Sequence, residues 1–153
     1  MVVGKLDIKS LSSENLIKLD MVSKQKEDAI KELTSLLKME NQIKNESKFL
    51  KAVLKREKEG TTGIGMGVAI PHGKSKTVQQ PTLVFGKSKG GIEYDSLDGN
   101  PVYLMFLIAV PENSSDEHLK ILSHISRKLM REEIRNQLMN LEQKSEFYTI
   151  FGG

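Results

Sequence analysis

The chain contains no cysteine and no tryptophan, and its aromatic side chains are limited to five Phe and three Tyr. Without thiols it has no disulfide framework, no thiolate metal site and no cysteine nucleophile, so any thiol chemistry in its function has to come from a partner. Long apolar runs are missing too. None approaches the roughly 18 residues needed to cross a membrane, and the longest, Pro101 to Val110, reads as a strand. The N-terminus, MVVGKLDIKSL, lacks a basic region followed by an extended apolar segment and so does not read as a secretory signal. A cytoplasmic protein is expected.

Charge of one sign is not concentrated either. The net charge of +3 arises within residues 1–60, where 13 Lys/Arg stand against 10 Asp/Glu; the remainder holds ten of each. So small an excess, with few aromatics to stack on bases, points away from nucleic acid. What is present is the material of a globular protein: 153 residues, 38% hydrophobic and 28% charged. A chain of this size buries about two-thirds of its unfolded surface, and residues 1–153 are read as one domain.

Residues 14–21, ENLIKLDM, alternate enough for a short first strand, and Ser23 is placed to cap a helix carrying Ala29, Ile30, Leu33, Leu36 and Leu37 at helical spacing. A second helix, about Glu46 to Lys58, carries Phe49, Leu50, Val53 and Leu54 on one side and stops at Gly60, with Arg56 in its last turn. Residues 60–73 read as a loop, a short strand at Val68-Ala69-Ile70, and a turn at Pro71-His72-Gly73. Residues 81–88 and 101–110 are strand-like, the second apolar on both faces as at the centre of a covered sheet, with a turn around Asp98-Gly99-Asn100 between them. Ser114 and Glu117 have the spacing of a capping box before Leu119, Leu122, Ile125 and Leu129, and further helix is expected over 131–141 and 145–151. Helices before, between and after strands give an α/β fold, a layered sandwich with a mixed β-sheet between α-helices.

One stretch, GVAIPHGKSK at residues 67–76, offers two ways of handling phosphate. Gly73-Lys74-Ser75 has the tail of a P-loop, but that motif needs four residues between its glycines, and Gly67 to Gly73 encloses five. Pro81 follows too soon for a phosphate-capping helix, and bulky Val68, Ile70 and Pro71 fill the nominal loop. GIGMG at 63–67 lacks the third glycine of a dinucleotide fingerprint, since Val68 or Ile70 would occupy it. Its glycines are read as allowing the backbone to bend or to approach a ligand closely.

The second way is the imidazole of His72, which is nucleophilic while neutral and has an ordinary pKa near 6.5. His118 opens a helix, where unpaired amides and the helix dipole favour an anion, so it is the better companion for His72. His124, six residues on, lies about 240° round the helix at roughly 100° per residue; it cannot share a site with His118 and is read as structural or surface. No H-E-x-x-H or i, i+4 histidine pair suggests a metal, and no G-x-S-x-G elbow suggests a serine hydrolase. No cofactor is expected.

Three blocks, REKEGTTGIGMGVAIPHGKS, FGKSKGGIEYDSLDGNPVYLMFLIAVPE and EHLKILSHISRKLM, together resemble the enzyme IIA component of the fructose-type sugar phosphotransferase system. The resemblance implies that His72 accepts a phosphoryl group from the phosphohistidine of the carrier protein HPr and passes it to a cysteine of an enzyme IIB, with membrane enzyme IIC downstream. His118 would match the second active-centre histidine and Arg56 an arginine of mannitol-type proteins, both stabilising the phosphoryl group. Lys74 and Ser75 become flanking residues placed to orient a docked carrier. The alternative is a nitrogen-type regulatory enzyme IIA, which shares the TGIG-G-AIPHG block and binds target proteins according to its phosphorylation state.

Overall fold

Apolar residues on both sides of residues 102–111 decide the architecture, because a strand with two buried faces must have layers above and below it. In the computed structural model, which describes residues 8–114 and 117–151 with the side chains of Ile8, Lys9, Glu117 and His118 excepted, that strand is β6, Val102–Pro111. Leu104, Phe106, Ile108 and Val110 enter one core; Met105, Leu107 and Ala109 enter the other.

The elements run α1 (Ile8–Leu11), β1 (Ile17–Lys18), α2 (Lys26–Met39), α3 (Glu46–Glu59), β2 (Gly63–Gly65), β3 (Val68–Ala69), β4 (His72–Ser75), β5 (Thr82–Ile92), β6, α4 (Glu117–Leu129), α5 (Glu132–Met139) and α6 (Glu146–Phe151). Among the described residues they form a mixed six-stranded sheet ordered β1-β5-β6-β3-β2, with β4 also paired to β6. β5 and β6 are antiparallel; β3 and β4 lie parallel to β6, end to end along its other edge. Helices α2 and α3 cover one face with Ala29, Ile30, Leu33, Leu37, Phe49 and Val53. Helices α4, α5 and α6 cover the opposite face, where Phe85, Phe106, Phe147 and Phe151 stack at centroid distances of 4.8 to 5.5 Å between successive partners. Each fully buried side chain of this size contributes about 1.5–3 kcal/mol, and the layered α/β expectation holds.

Several local expectations need correction. Residues 14–16 are a turn of 3₁₀ helix and only Ile17 and Lys18 pair as a strand, parallel to Phe85 and Gly86. Helix α2 begins at Lys26 without a side-chain cap, and the Ser23 amide instead donates to Glu32 Oε1 at 3.0 Å. The capping box at Ser114 and Glu117 lies outside the described residues. Most relevant to the site, Pro71-His72-Gly73 is not a turn: His72 to Ser75 pair with Ile108 to Pro111. Pro71, which has no N–H to donate to a ladder, lies between β3 and the edge strand β4.

Candidate active site around His72

Edge strand β4 is short and its side chains alternate. His72 is half-buried and Lys74 exposed, while Gly73 and Ser75 are buried. Gly73 is required by close approach: a Cβ there would meet Val53 Cγ2 at 2.8 Å and Phe49 Cε1 at 3.1 Å. Helix α3 therefore lies directly against the backbone of β4. Because its stripe of Phe49 and Val53 faces the strand, Arg56 in its last turn is carried to the side of His72. Ser75 accepts from the Thr77 amide at 3.3 Å beneath the surface, so it cannot orient a docked carrier as its place beside Lys74 suggested.

His72 and Arg56 line one cleft of about 470 Å³, together with Ala52, Lys55, Glu59, Gly73, Lys74 and Val110. Three of those side chains are cationic and one is anionic, so the cleft favours an anion. The guanidinium of Arg56 is oriented by donating from Nη1 to the Gly60 carbonyl at 2.8 Å. His72 Nδ1 lies 3.0 Å from the Ile70 carbonyl oxygen. A carbonyl can only accept, so Nδ1 carries the proton and the neutral ring keeps its lone pair on Nε2. His118 lies in the first turn of α4, and its side chain lies outside the described residues.

The glycines of GIGMG bend the chain, as the sequence suggests. Gly65 (φ 98°), Met66 (φ 59°) and Gly67 (φ 76°) form the turn between β2 and β3, which Asp98 Oδ2 ties down by accepting from the Met66 amide at 3.0 Å. His124 stands apart from the cleft, on α4, with its Nε2 buried and lacking a hydrogen-bond partner among the described residues. Burial, then Lys128 and Arg127, hold its pKa below the ordinary value. Among the described residues no group of His, Asp and Glu is arranged to hold a metal ion, and no helix is long and apolar enough to cross a membrane.

Sequence reasoning missed a cluster beside the cleft, the buried Glu57, Thr62 and Tyr94 with the partly exposed Lys26. A signal existed: Glu57 follows Phe49 and Val53 at intervals of four, a carboxylate in a core register.

A mixed sheet between two helical layers, with an oriented imidazole and guanidinium in a basic cleft at its edge, has the form of a phosphoryl-handling component. Residues 10–152 match the family model described as the phosphoenolpyruvate-dependent sugar phosphotransferase system, EIIA 2, and the chain belongs to that family, a group of phosphotransferase components. It is 40% identical to the PTS system fructose-specific EIIA component of Haloferax volcanii, over 90% of both chains. It is 41% identical to the PTS system fructose-specific EIIABC component of Bacillus subtilis over 95% of its own length, and spans 23% of that longer protein. Among solved structures it is similar to the nitrogen regulatory protein IIA-Ntr of Neisseria meningitidis, with a TM-score of 0.86 and 35% identity, covering 93% of this chain and 97% of that one. It also shares the fold of the enzyme IIA in a complex of mannitol IIA with phosphorylated IIB from Escherichia coli, with a TM-score of 0.78, 24% identity and coverage of 92% and 98%.

Proposed function

We infer that His72 is the phosphoryl acceptor of a sugar phosphotransferase system, taking the group from the phosphohistidine of HPr and passing it to a cysteine of enzyme IIB. The observation that carries this reading is the His72 ring itself, oriented by the Ile70 carbonyl 3.0 Å from its Nδ1 and lining a basic cleft that it shares with Arg56. In the forward step Nε2 forms a bond to phosphorus as the donor's N–P bond breaks, and that electron pair stays on the donor imidazole. In the next step a thiolate of enzyme IIB displaces Nε2, which recovers its lone pair. The phosphoryl group brings roughly two negative charges, and the Arg56 guanidinium offsets them through charge-assisted hydrogen bonds. His118 supplies a second such donor from the first turn of α4. Little else is needed, because this chemistry depends mainly on alignment and charge stabilisation.

The fructose-specific names of two relatives support a role in sugar uptake, and the fused EIIABC relative supports enzymes IIB and IIC as partners. We place the protein in the cytoplasm as a single domain. A regulatory reading, in which phosphorylation state decides target binding, is favoured by the likeness to IIA-Ntr. The test of His72 is incubation with phosphoenolpyruvate, enzyme I and HPr. One acid-labile phosphoryl group is expected on the wild type and none on His72→Ala, with labelling slowed about 10- to 100-fold in Arg56→Ala. Undiminished labelling of His72→Ala would falsify the assignment. Passage of the label to a fructose-type enzyme IIB supports transport; label that stays on the chain and alters binding to another protein supports regulation.

A further inference from the structure

Beside the cleft lies a carboxylate that the transfer chemistry does not touch. Glu57 is 9% exposed, and a buried carboxylate is costly unless its lone pairs are met. Here they are. Oε1 accepts from Lys26 Nζ at 3.1 Å and from the Thr62 amide at 3.2 Å. Oε2 accepts from Thr62 Oγ1 and, at 3.3 Å, from the Tyr94 hydroxyl, which also lies 2.9 Å from Thr62 Oγ1. Lys26 Nζ sits 4.7 Å from the centre of the Tyr94 ring and donates to Thr61 Oγ1 at 3.3 Å. Burial, and after it the neighbouring Glu57, push the Tyr94 pKa well up, so the phenol stays protonated.

Two hydrogen-bonded routes lead from this carboxylate to the cleft. Along the first, the Thr62 carbonyl accepts from the Ile70 amide at 3.0 Å, and the Ile70 carbonyl accepts from His72 Nδ1 at 3.0 Å. Along the second, the grip of Glu57 on Thr62 holds residues 60–62 against the last turn of α3, and in that segment the Gly60 carbonyl accepts from Arg56 Nη1 at 2.8 Å. Both chemical groups of the cleft thus lean on one loop, and one carboxylate anchors that loop.

We propose that Glu57 is a positioning residue: through Thr62 and Ile70 it holds the His72 imidazole in its Nδ1–H form, and through residues 60–62 it holds the Arg56 guanidinium beside it. Its kinetic consequence rests on His72 being the phosphoryl acceptor; the tautomer is a property of the unphosphorylated chain and stands apart from that reading. Lys26 and Tyr94 serve the same end, as the partners that make a buried carboxylate tolerable.

Long-range nitrogen–proton NMR of the imidazoles reads the tautomer directly. In the wild type, neutral His72 is expected as Nδ1–H. In Glu57→Ala the population shifts towards Nε2–H, and Glu57→Gln, which keeps an acceptor oxygen for the Thr62 amide, restores most of it. With phosphorylated HPr as donor, kcat for Glu57→Ala falls about 10-fold, while KM stays within about two-fold of the wild type. Thr62→Val, similar in shape and lacking the hydroxyl, moves the tautomer in the same direction and decides the matter if Glu57→Ala does not fold. A wild-type tautomer in folded Glu57→Ala, or in Thr62→Val when Glu57→Ala is unfolded, overturns the proposal. A wild type that shows the Nδ1–H form yet takes up no phosphoryl group overturns instead the choice of His72 as acceptor and leaves the positioning intact.

Discussion

His72 and His124 share a side chain and little else, because an imidazole takes its chemistry from its surroundings. His72 has a carbonyl at Nδ1 and a basic cleft beyond it, whereas His124 is turned into the protein with a buried Nε2 that meets no partner among the described residues. That difference has a consequence for stability. Burial, with Lys128 and Arg127 nearby, lowers the His124 pKa below 6.5 in the folded chain, so the unfolded chain binds the proton more readily there. The destabilisation is absent above the unfolded value and grows as pH falls through it, levelling only below the folded one. The melting temperature should therefore drop between about pH 7 and about pH 5 more steeply in the wild type than in His124→Leu. Parallel curves from calorimetry of the two proteins would show that His124 does not titrate in this way.

Among the elements, helix α3 and strand β4 form the unit that builds the cleft. Their separation is set by Gly73, whose missing side chain leaves room for Val53 and Phe49. Gly73→Ala is expected to cost about 1–3 kcal/mol, the usual effect of overpacking a tight interior, and to slow labelling by moving Arg56 away from His72. Gly90 provides the comparison, since a Cβ there meets nothing within 4 Å; Gly90→Ala should lie within about 0.5 kcal/mol of the wild type. Urea unfolding of both proteins checks the prediction, and equal midpoints would refute it. The helix of this unit was legible from its apolar spacing and from Gly60, but β4 was not. The four residues that follow Pro71 begin within a turn signal, and only pairing with Ile108 to Pro111 makes them a strand.

At the scale of the whole molecule, one sheet has a core on each face, and β5 and β6 contribute side chains to both. The aromatic stack around Phe147 lies on the face opposite α3, yet loosening it should loosen everything, because neither helical layer has another surface to cover. Phe147→Ala is expected to lose about 3–5 kcal/mol in a single transition, with NMR methyl signals of Val53 and Ile125, on opposite faces, disappearing at the same urea concentration. Val53 signals that outlast those of Ile125 would mean two separable units. Lys87 illustrates what such a core hides: it is 3% exposed in β5 and donates its Nζ protons to the carbonyls of Met139 and Leu141, closing the end of α5 from across the core. In sequence it looks like any solvated lysine. By itself the sequence determined the layered α/β class, most helices, the double-sided strand β6 and the failure of residues 67–76 to fit a nucleotide loop. These follow from periodicity, residue chemistry and counted spacing, all local properties. Only the tertiary structure decided that Arg56 and His72 share a cleft, that Ile70 holds the Nδ1 proton, and that Glu57 stands behind both. Those relations join residues far apart along the chain, and they exist only where α3, the loop after it and the sheet edge are packed together.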